Sequence, residues 1–288
     1  MAKRFEKNPQ GIYSLHFDSV GEMVSHSVNP EGSMPINRNA WQERYQRAKD
    51  EAGDSGPCSF FNGYTLERAV RELESPPQAA AFVREIADSI TLSDNLGNVS
   101  RRHMARRRED GDTLDAMAWV QRDLAGWERM EKTSVIARVI RIACNVSVNY
   151  LRQPEELYYR GAACAALADV LESAGHSVEI TAIVTSDGIE DYHPNMTYAM
   201  TTIVKHAHMP MDVDTVSLVM SEIGFFRTVI ISALVNGCTL KVNNGKGAPV
   251  TAPPSIASEY DVLIDCDITT KEQAIAAVKR YGAQGVEV

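Results

Sequence analysis

The pattern of apolar and polar positions changes character once along the chain. Before Ser134 the periodicity is mostly helical or absent; from Ser134 onward β-branched runs alternate with amphipathic ones. Val135 to Val146 is apolar on both faces toward its end, the pattern of a central strand covered on two sides. Residues 154 to 174 predict a long helix, with Pro154 at its first position, Glu155 and Glu156 in its first turn, and Gly175 past its end. Its inner stripe is Leu157, Gly161, Cys164, Ala165, Ala168 and Leu171, small enough to let the helix lie close on a sheet. Val178 to Val184 then places Val178, Ile180, Ala182 and Val184 on alternate positions, a second strand that stops at Asp187-Gly188.

Thr197 to Val204 reads as a third strand and Met211 to Ile223 as a helix. Phe225 to Val235 is apolar all round, and its length favours a buried helix. Strands at Thr239 to Val242 and Tyr260 to Cys266 flank a Gly- and Pro-rich loop, and Thr270 with Gln273 caps a final helix ending before Gly282. In the first part, Ile12 to Phe17 alternates as one short strand within an otherwise aperiodic stretch over residues 1 to 38. Helices are predicted from Asn39 toward Gly53, from Thr65 through Leu73, over residues 76 to 90 behind a capping box of Ser75, Pro76 and Gln78, and from Asp112 to about Lys132. In the last of these Met117, Val120, Leu124 and Trp127 share a face. The sequence thus predicts a mainly helical region over residues 1–132 and an α/β domain over 133–288, with a largely parallel, Rossmann-like sheet flanked by helices.

Net charge limits the choice of partners. The chain carries −9, divided as −3 before Ser134 and −6 from it onward, so a role on a phosphate backbone requires a local basic patch. One such segment exists: Arg101, Arg102, Arg106, Arg107 and Arg108, with His103 among them, on one or two expected helical turns. Glu109, Asp110, Asp112 and Asp115 follow at once, and no aromatic residue interleaves, which favours a solvated helix end or a self-association surface over base stacking. No run of about 18 apolar residues and no leader pattern occur, so a cytoplasmic protein without a membrane span is expected. The five cysteines are widely spaced, with no C-x-x-C pair, as expected of reduced thiols.

Ligands of open parallel sheets sit beyond the carboxyl ends of strands, which directs attention to Asn145-Val146-Ser147-Val148-Asn149, to Ser186-Asp187-Gly188 and to Asp265-Cys266-Asp267. Oxygens from Ser147, Asp187, Asp265 and Asp267 suit a hard cation such as Mg²⁺; the ordinary alternative is polar residues placed where strands meet solvent. His206-Ala207-His208 lacks a signalled third ligand, Gly245-Lys246-Gly247 lacks Walker A spacing, and neither G-x-S-x-G, H-E-x-x-H nor G-x-G-x-x-G occurs.

The order of strand, Asn145-x-Ser147-x-Asn149, long helix and second strand resembles the opening of a von Willebrand factor A-type domain. In that family a D-x-S-x-S stretch holds a metal that bridges to a partner's carboxylate. Asn145 stands where the family has Asp and Asn149 where it has the second Ser, so the resemblance implies a degenerate metal site over residues 134 to 267. Phe61 to Thr65 and Tyr159 to Glu172 are also similar to an uncharacterised group of proteins encoded by tailed phages and related mobile elements, which implies a phage setting. The function expected on these grounds is non-enzymatic interaction or assembly, with a protein partner or self-association at Asn145, Ser147, Asn149 and Asp187 or at the arginines. The alternatives are metal-dependent phosphoryl chemistry at Asp187, Asp265 and Asp267, and nucleic-acid binding through Arg101 to Arg108.

Overall fold

The fold is taken from a computed structural model, and the structure describes residues 3–28, 64–76, 104–108, 113–114, 127–131, 139–148, 154–173, 176–188, 196–238 and 248–286. In chain order the strands are β1 (Glu6–Lys7), β2 (Tyr13–Phe17), β3 (Met104–Arg108), β4 (Thr113–Leu114), β5 (Trp127–Glu131), β6 (Val139–Asn145), β7 (Ser177–Asp187), β8 (Thr197–Lys205), β9 (Ala248–Pro249) and β10 (Val262–Ile264). The helices are α1 (Val20–Val28), α2 (Leu66–Glu74), α3 (Pro154–Ser173), α4 (Val213–Ser221), α5 (Ile223–Gly237), α6 (Pro254–Ala257) and α7 (Lys271–Val286).

Seven strands form one sheet in the order β1-β2-β8-β7-β6-β10, with β9 added beside the end of β7. The sheet is mixed, which corrects the expectation of a largely parallel one. β10, β6 and β7 run parallel, β8 returns antiparallel to β7, and β2 is parallel to β8. The cause is connection length: a parallel return needs a crossover of about a dozen residues or more, and residues 188–196 are too few, so β7 and β8 close as an antiparallel pair. Gly188 makes this turn in the left-handed region (φ 66°), and its N–H donates to Met196 O at 3.0 Å.

The two faces of the sheet are covered unequally. Ile140, Ile142 and Cys144 of β6, Val178, Ile180, Ala182 and Val184 of β7, and Leu15 and Phe17 of β2 belong to one large core with α1, α3, α4, α5 and α7. On the other face a small core holds Ala143, Ile183 and Ala199, capped by Ile256 of α6. The alternation expected for β7 is therefore the division between the two cores.

Helix α3 is central, buried from Arg160 through Ala168. Its smallest residue serves a neighbour other than the expected one: a Cβ on Gly161 would lie 2.0 Å from Ser221 Oγ and 3.1 Å from Met220 O, so Gly161 lets α3 approach α4. At its far end Glu172 forms a 2.6 Å ion pair with Lys205, whose Nζ also donates to Val178 O at 2.7 Å. Breaking such a buried pair by removing one partner costs about 3–5 kcal/mol.

Helix termini follow their expected chemistry. Thr65 Oγ1 accepts from Arg68 N at 3.1 Å, and Thr270 and Gln273 exchange bonds of 3.3 and 3.0 Å as a capping box. Asp212 caps α4, and Glu222 caps α5 across a 58° bend. The π turn at Phe226–Ile230 weakens the usual ladder inside α5, and Ser27 Oγ, 2.9 Å from Val229 O, compensates from α1. Among the described residues no single helix is long and apolar enough to cross a membrane.

The first part of the chain departs most from expectation. Phe5, Phe17, Met23, Val24, Tyr64 and Ala69 are buried in the large core, and Arg4 donates to the carbonyls of Asn236 and Cys238 at 2.9 Å each. A boundary after residue 132 therefore does not separate residues 3–28 and 64–76 from the α/β unit. Among its described residues this region carries α1 and α2 beside β1 and β2, and β3, β5 and β4 form a three-stranded antiparallel sheet in that order. The helices expected at 39–53 and 76–90, and the strand expected at 239–242, lie outside the described residues wholly or nearly so.

Candidate functional site

The parallel strands β6, β7 and β10 end together, and this end gathers Asn145, Ser147, Thr185 and Asp265. Asn145 is fully buried at the last position of β6. Its Nδ2 lies 2.9 Å from Thr185 Oγ1, 3.1 Å from Val250 O and 2.7 Å from Asp265 Oδ1, so two protons serve three acceptors. Its Oδ1 accepts from Ser147 N at 3.0 Å. Every polar atom of this side chain is thus engaged with the protein.

Ser147 continues the β6–β7 pairing through its side chain. Val146 N donates to Ile183 O at 2.8 Å; then Ser147 Oγ donates to Thr185 O at 3.0 Å and accepts from Thr185 N at 2.7 Å. β9 takes over the same edge of β7, pairing Ala248 with Asp187 and Pro249 with Ser186, and Thr185 Oγ1 donates to Val250 O. Asp265 completes the closure: its Oδ1 also accepts from Cys266 N at 2.7 Å and its Oδ2 from Ala252 N at 3.0 Å.

Arg160 of α3 holds the end of β6 from below. It is 1% exposed, its Nη1 donates to Ser147 O at 2.9 Å and to Asn145 O, and its Nε donates to Glu156 O at 3.4 Å. Burial pulls its pKa down, while the charges of Glu156 and Asp265 push it back up. A guanidinium remains charged in such surroundings. Burial likewise pushes the Cys266 thiol up, followed by the charge of Asp265, which disfavours the thiolate that a nucleophile requires.

The expected cation ligands are not assembled. Ser147 is consumed by Thr185, Asp265 by three N–H donors, and Asp187 Oδ1 accepts from Thr197 Oγ1 at 2.6 Å, while Asp267 is exposed. Among the described residues no group of three or more His, Cys, Asp or Glu converges in a metal-holding arrangement. His206 and His208 stack on each other at 5.5 Å after β8, a pair without a third ligand among the described residues.

Asn149, Arg101 and Arg102 lie outside the described residues. Arg106, Arg107 and Arg108 lie on β3, an edge strand of the three-stranded sheet, which corrects the helical turns expected there. β5 pairs with it antiparallel, with Arg106 opposite Arg129 and Arg107 opposite Glu128 in register. Thr185 and Arg160 were not singled out by the sequence. The one available signal was a lone arginine opening a buried run of small residues in α3.

No curated protein matches the chain, and neither does any solved structure. The model of a family described as a domain of unknown function (DUF7192) matches residues 5–284, spanning both the strand-end network and the three-stranded sheet. The chain belongs to this DUF7192 family.

Proposed function

We propose that this protein is a non-enzymatic interaction or assembly protein whose α/β core is von Willebrand A-like, with an internal hydrogen-bond network in place of a metal. The carrying observation is Asn145: its amide donates toward Thr185, Val250 and Asp265 and its oxygen accepts from Ser147 N, so the side chain is engaged with the protein and offers a cation no charge. An aspartate there would instead bring a second carboxylate against Asp265, an arrangement that a divalent ion stabilises and an empty site does not. The von Willebrand A-like reading draws on the parallel set β10-β6-β7 and on the N-x-S run that closes β6. A phage or mobile-element setting draws on the likeness of Phe61 to Thr65 and Tyr159 to Glu172 alone.

Calorimetric titration of the full-length protein with Mg²⁺ and Mn²⁺ tests this reading. The expected result is no saturable heat, together with no turnover of nucleotide substrates in the presence of either ion. Single-site divalent binding that disappears in Ser147→Ala and Asp187→Ala would overturn it.

A further inference from the structure

Helix α1 is fastened to α5 by polar bonds around one histidine. Asn236 Nδ2 of α5 donates to His26 O at 3.1 Å and to Ser27 O at 3.2 Å, and Ser27 Oγ donates to Val229 O at 2.9 Å. Arg4 ties the chain before β1 to the same end of α5, through the carbonyls of Asn236 and Cys238. His26 itself is 8% exposed, with its ring centroid 5.2 Å from that of Phe17 and its Nε2 without a hydrogen-bond partner. The Ala233 carbonyl of α5 accepts from the ring, which assigns the proton to Nδ1 and makes the packed imidazole neutral.

A second proton goes to Nε2, where it is a buried donor with no acceptor and places a cation in apolar surroundings. The charges acting on the ring do not offset this: Arg4 and Lys3 oppose a cation, and Glu22 alone favours one. Glu22 is itself engaged, 2.7 Å from Lys3 Nζ and accepting from Asp18 N at 2.8 Å. β2 presents the Phe17 ring, and α5 presents the Ala233 carbonyl and the neutral Asn236 amide. The last turn of a helix ordinarily favours a cation, but here the carbonyls of His26 and Ser27 already accept from Asn236. We propose that His26 is an acid-sensitive latch: its protonation releases α1 from α5 and uncovers Phe17, Met23 and Val24 while the seven-stranded sheet stays folded. Local release is the cheaper response, because α1 has only nine residues and its anchors lie in its last turn, whereas β6 is paired on both sides and covered by α3. The device opens an apolar surface only in acid. It is independent of the assembly reading, which concerns the strand ends of the sheet.

The test is amide hydrogen exchange of the full-length protein by NMR, corrected for the intrinsic rate at each pH. Between about pH 7.5 and pH 5 the opening constant of the Met23 to Val28 amides should rise at least about threefold. Its ceiling is about thirtyfold, the limit for one proton taken up at the ordinary histidine pKa of about 6.5. These amides should also open more often than those of β6 at both pH values and without dependence on low urea, the mark of a local opening. His26→Gln and His26→Phe should each hold the rise within about twofold. In the unaltered protein the His26 ring ¹⁵N signals should remain those of the Nδ1–H tautomer until α1 opens, a readout that does not depend on how the variants fold. The proposal is overturned by α1 exchange indifferent to pH, by a rise retained in both variants, by α1 and β6 opening together with the same urea dependence, or by a charged His26 ring while α1 stays protected.

Discussion

Two regions of this molecule concentrate polar chemistry, and they are built in opposite ways. At the strand ends of the seven-stranded sheet, Asn145, Ser147, Thr185 and Asp265 lie where α/β proteins hold ligands, yet their hydrogen bonds run to one another and to the backbone. At the other end of α3 a single ion pair, Glu172 with Lys205, stands beside the Val178 carbonyl, which also accepts from Lys205. The first arrangement lowers the energy of the fold by satisfying buried groups, each of which would cost about 1–3 kcal/mol if left alone. The second rests on one pair of charges, so a single substitution leaves the Lys205 ammonium alone. A polar cluster in a ligand-binding position is therefore not by itself a sign of binding here.

The contrast is broken most severely where a buried charge loses its partner. Glu172→Gln leaves the Lys205 ammonium, almost wholly buried on β8, without its carboxylate and should lower stability in urea by about 3–5 kcal/mol. Asn145→Ala should cost about 2–3 kcal/mol in the same assay, since it leaves Ser147 N unpaired and removes one of the three donors to Asp265. A loss below about 0.5 kcal/mol would show that water or a ligand, rather than the protein, satisfies this end of the sheet. Gly161→Ala drives a methyl into Ser221 and the α4 backbone, and about 1–3 kcal/mol of destabilisation is expected by thermal melting.

A smaller effect depends on pH. His26 of α1 is buried with Nε2 unpartnered, and burial, followed by the charge of Arg4, lowers its pKa from the ordinary 6.5. The unfolded chain therefore binds the proton more readily than the folded one, so stability is full above about pH 6.5 and declines as pH falls below it toward the folded value. His26→Gln should remove that part of the decline seen in melts between about pH 7 and pH 5.

Elements with a local signal were legible in the chain. β6, α3, β7, β8, α4, α5, β10 and α7 all fall close to their expected positions, each marked by alternation, a cap or a sustained apolar run. The final helix runs past Gly282 to Val286, where a glycine did not end it. Helix α1 was missed because it is short and carries His26 and Ser27 on its buried side, so no clean apolar stripe appears. Trp127 satisfied a helical period with Met117, Val120 and Leu124, and the Trp-Glu-Arg-Met-Glu run of β5 has no apolar alternation; only the pairing with β3 marks it as a strand. The placement of β2 beside β8 had no local signal either, since its partner lies at Tyr198 to Thr202.

The strand-end residues were legible by position but not by orientation. Asn145, Ser147 and Asp265 are all visible in the sequence as oxygen-bearing residues after strands. Whether their atoms face a ligand or one another depends on Thr185, 40 residues from Asn145, and on Asp265, 120 residues from it. Spacing alone carries no such information.

The side-chain amide of Asn145 reports most directly on the central claim, that this strand end is closed upon itself. Its hydrogen exchange, followed by ¹⁵N NMR with and without Mg²⁺, should be slow, close to that of the β6 backbone, and unchanged by the ion. Rapid exchange, or a shift and added protection on adding Mg²⁺, would contradict the account.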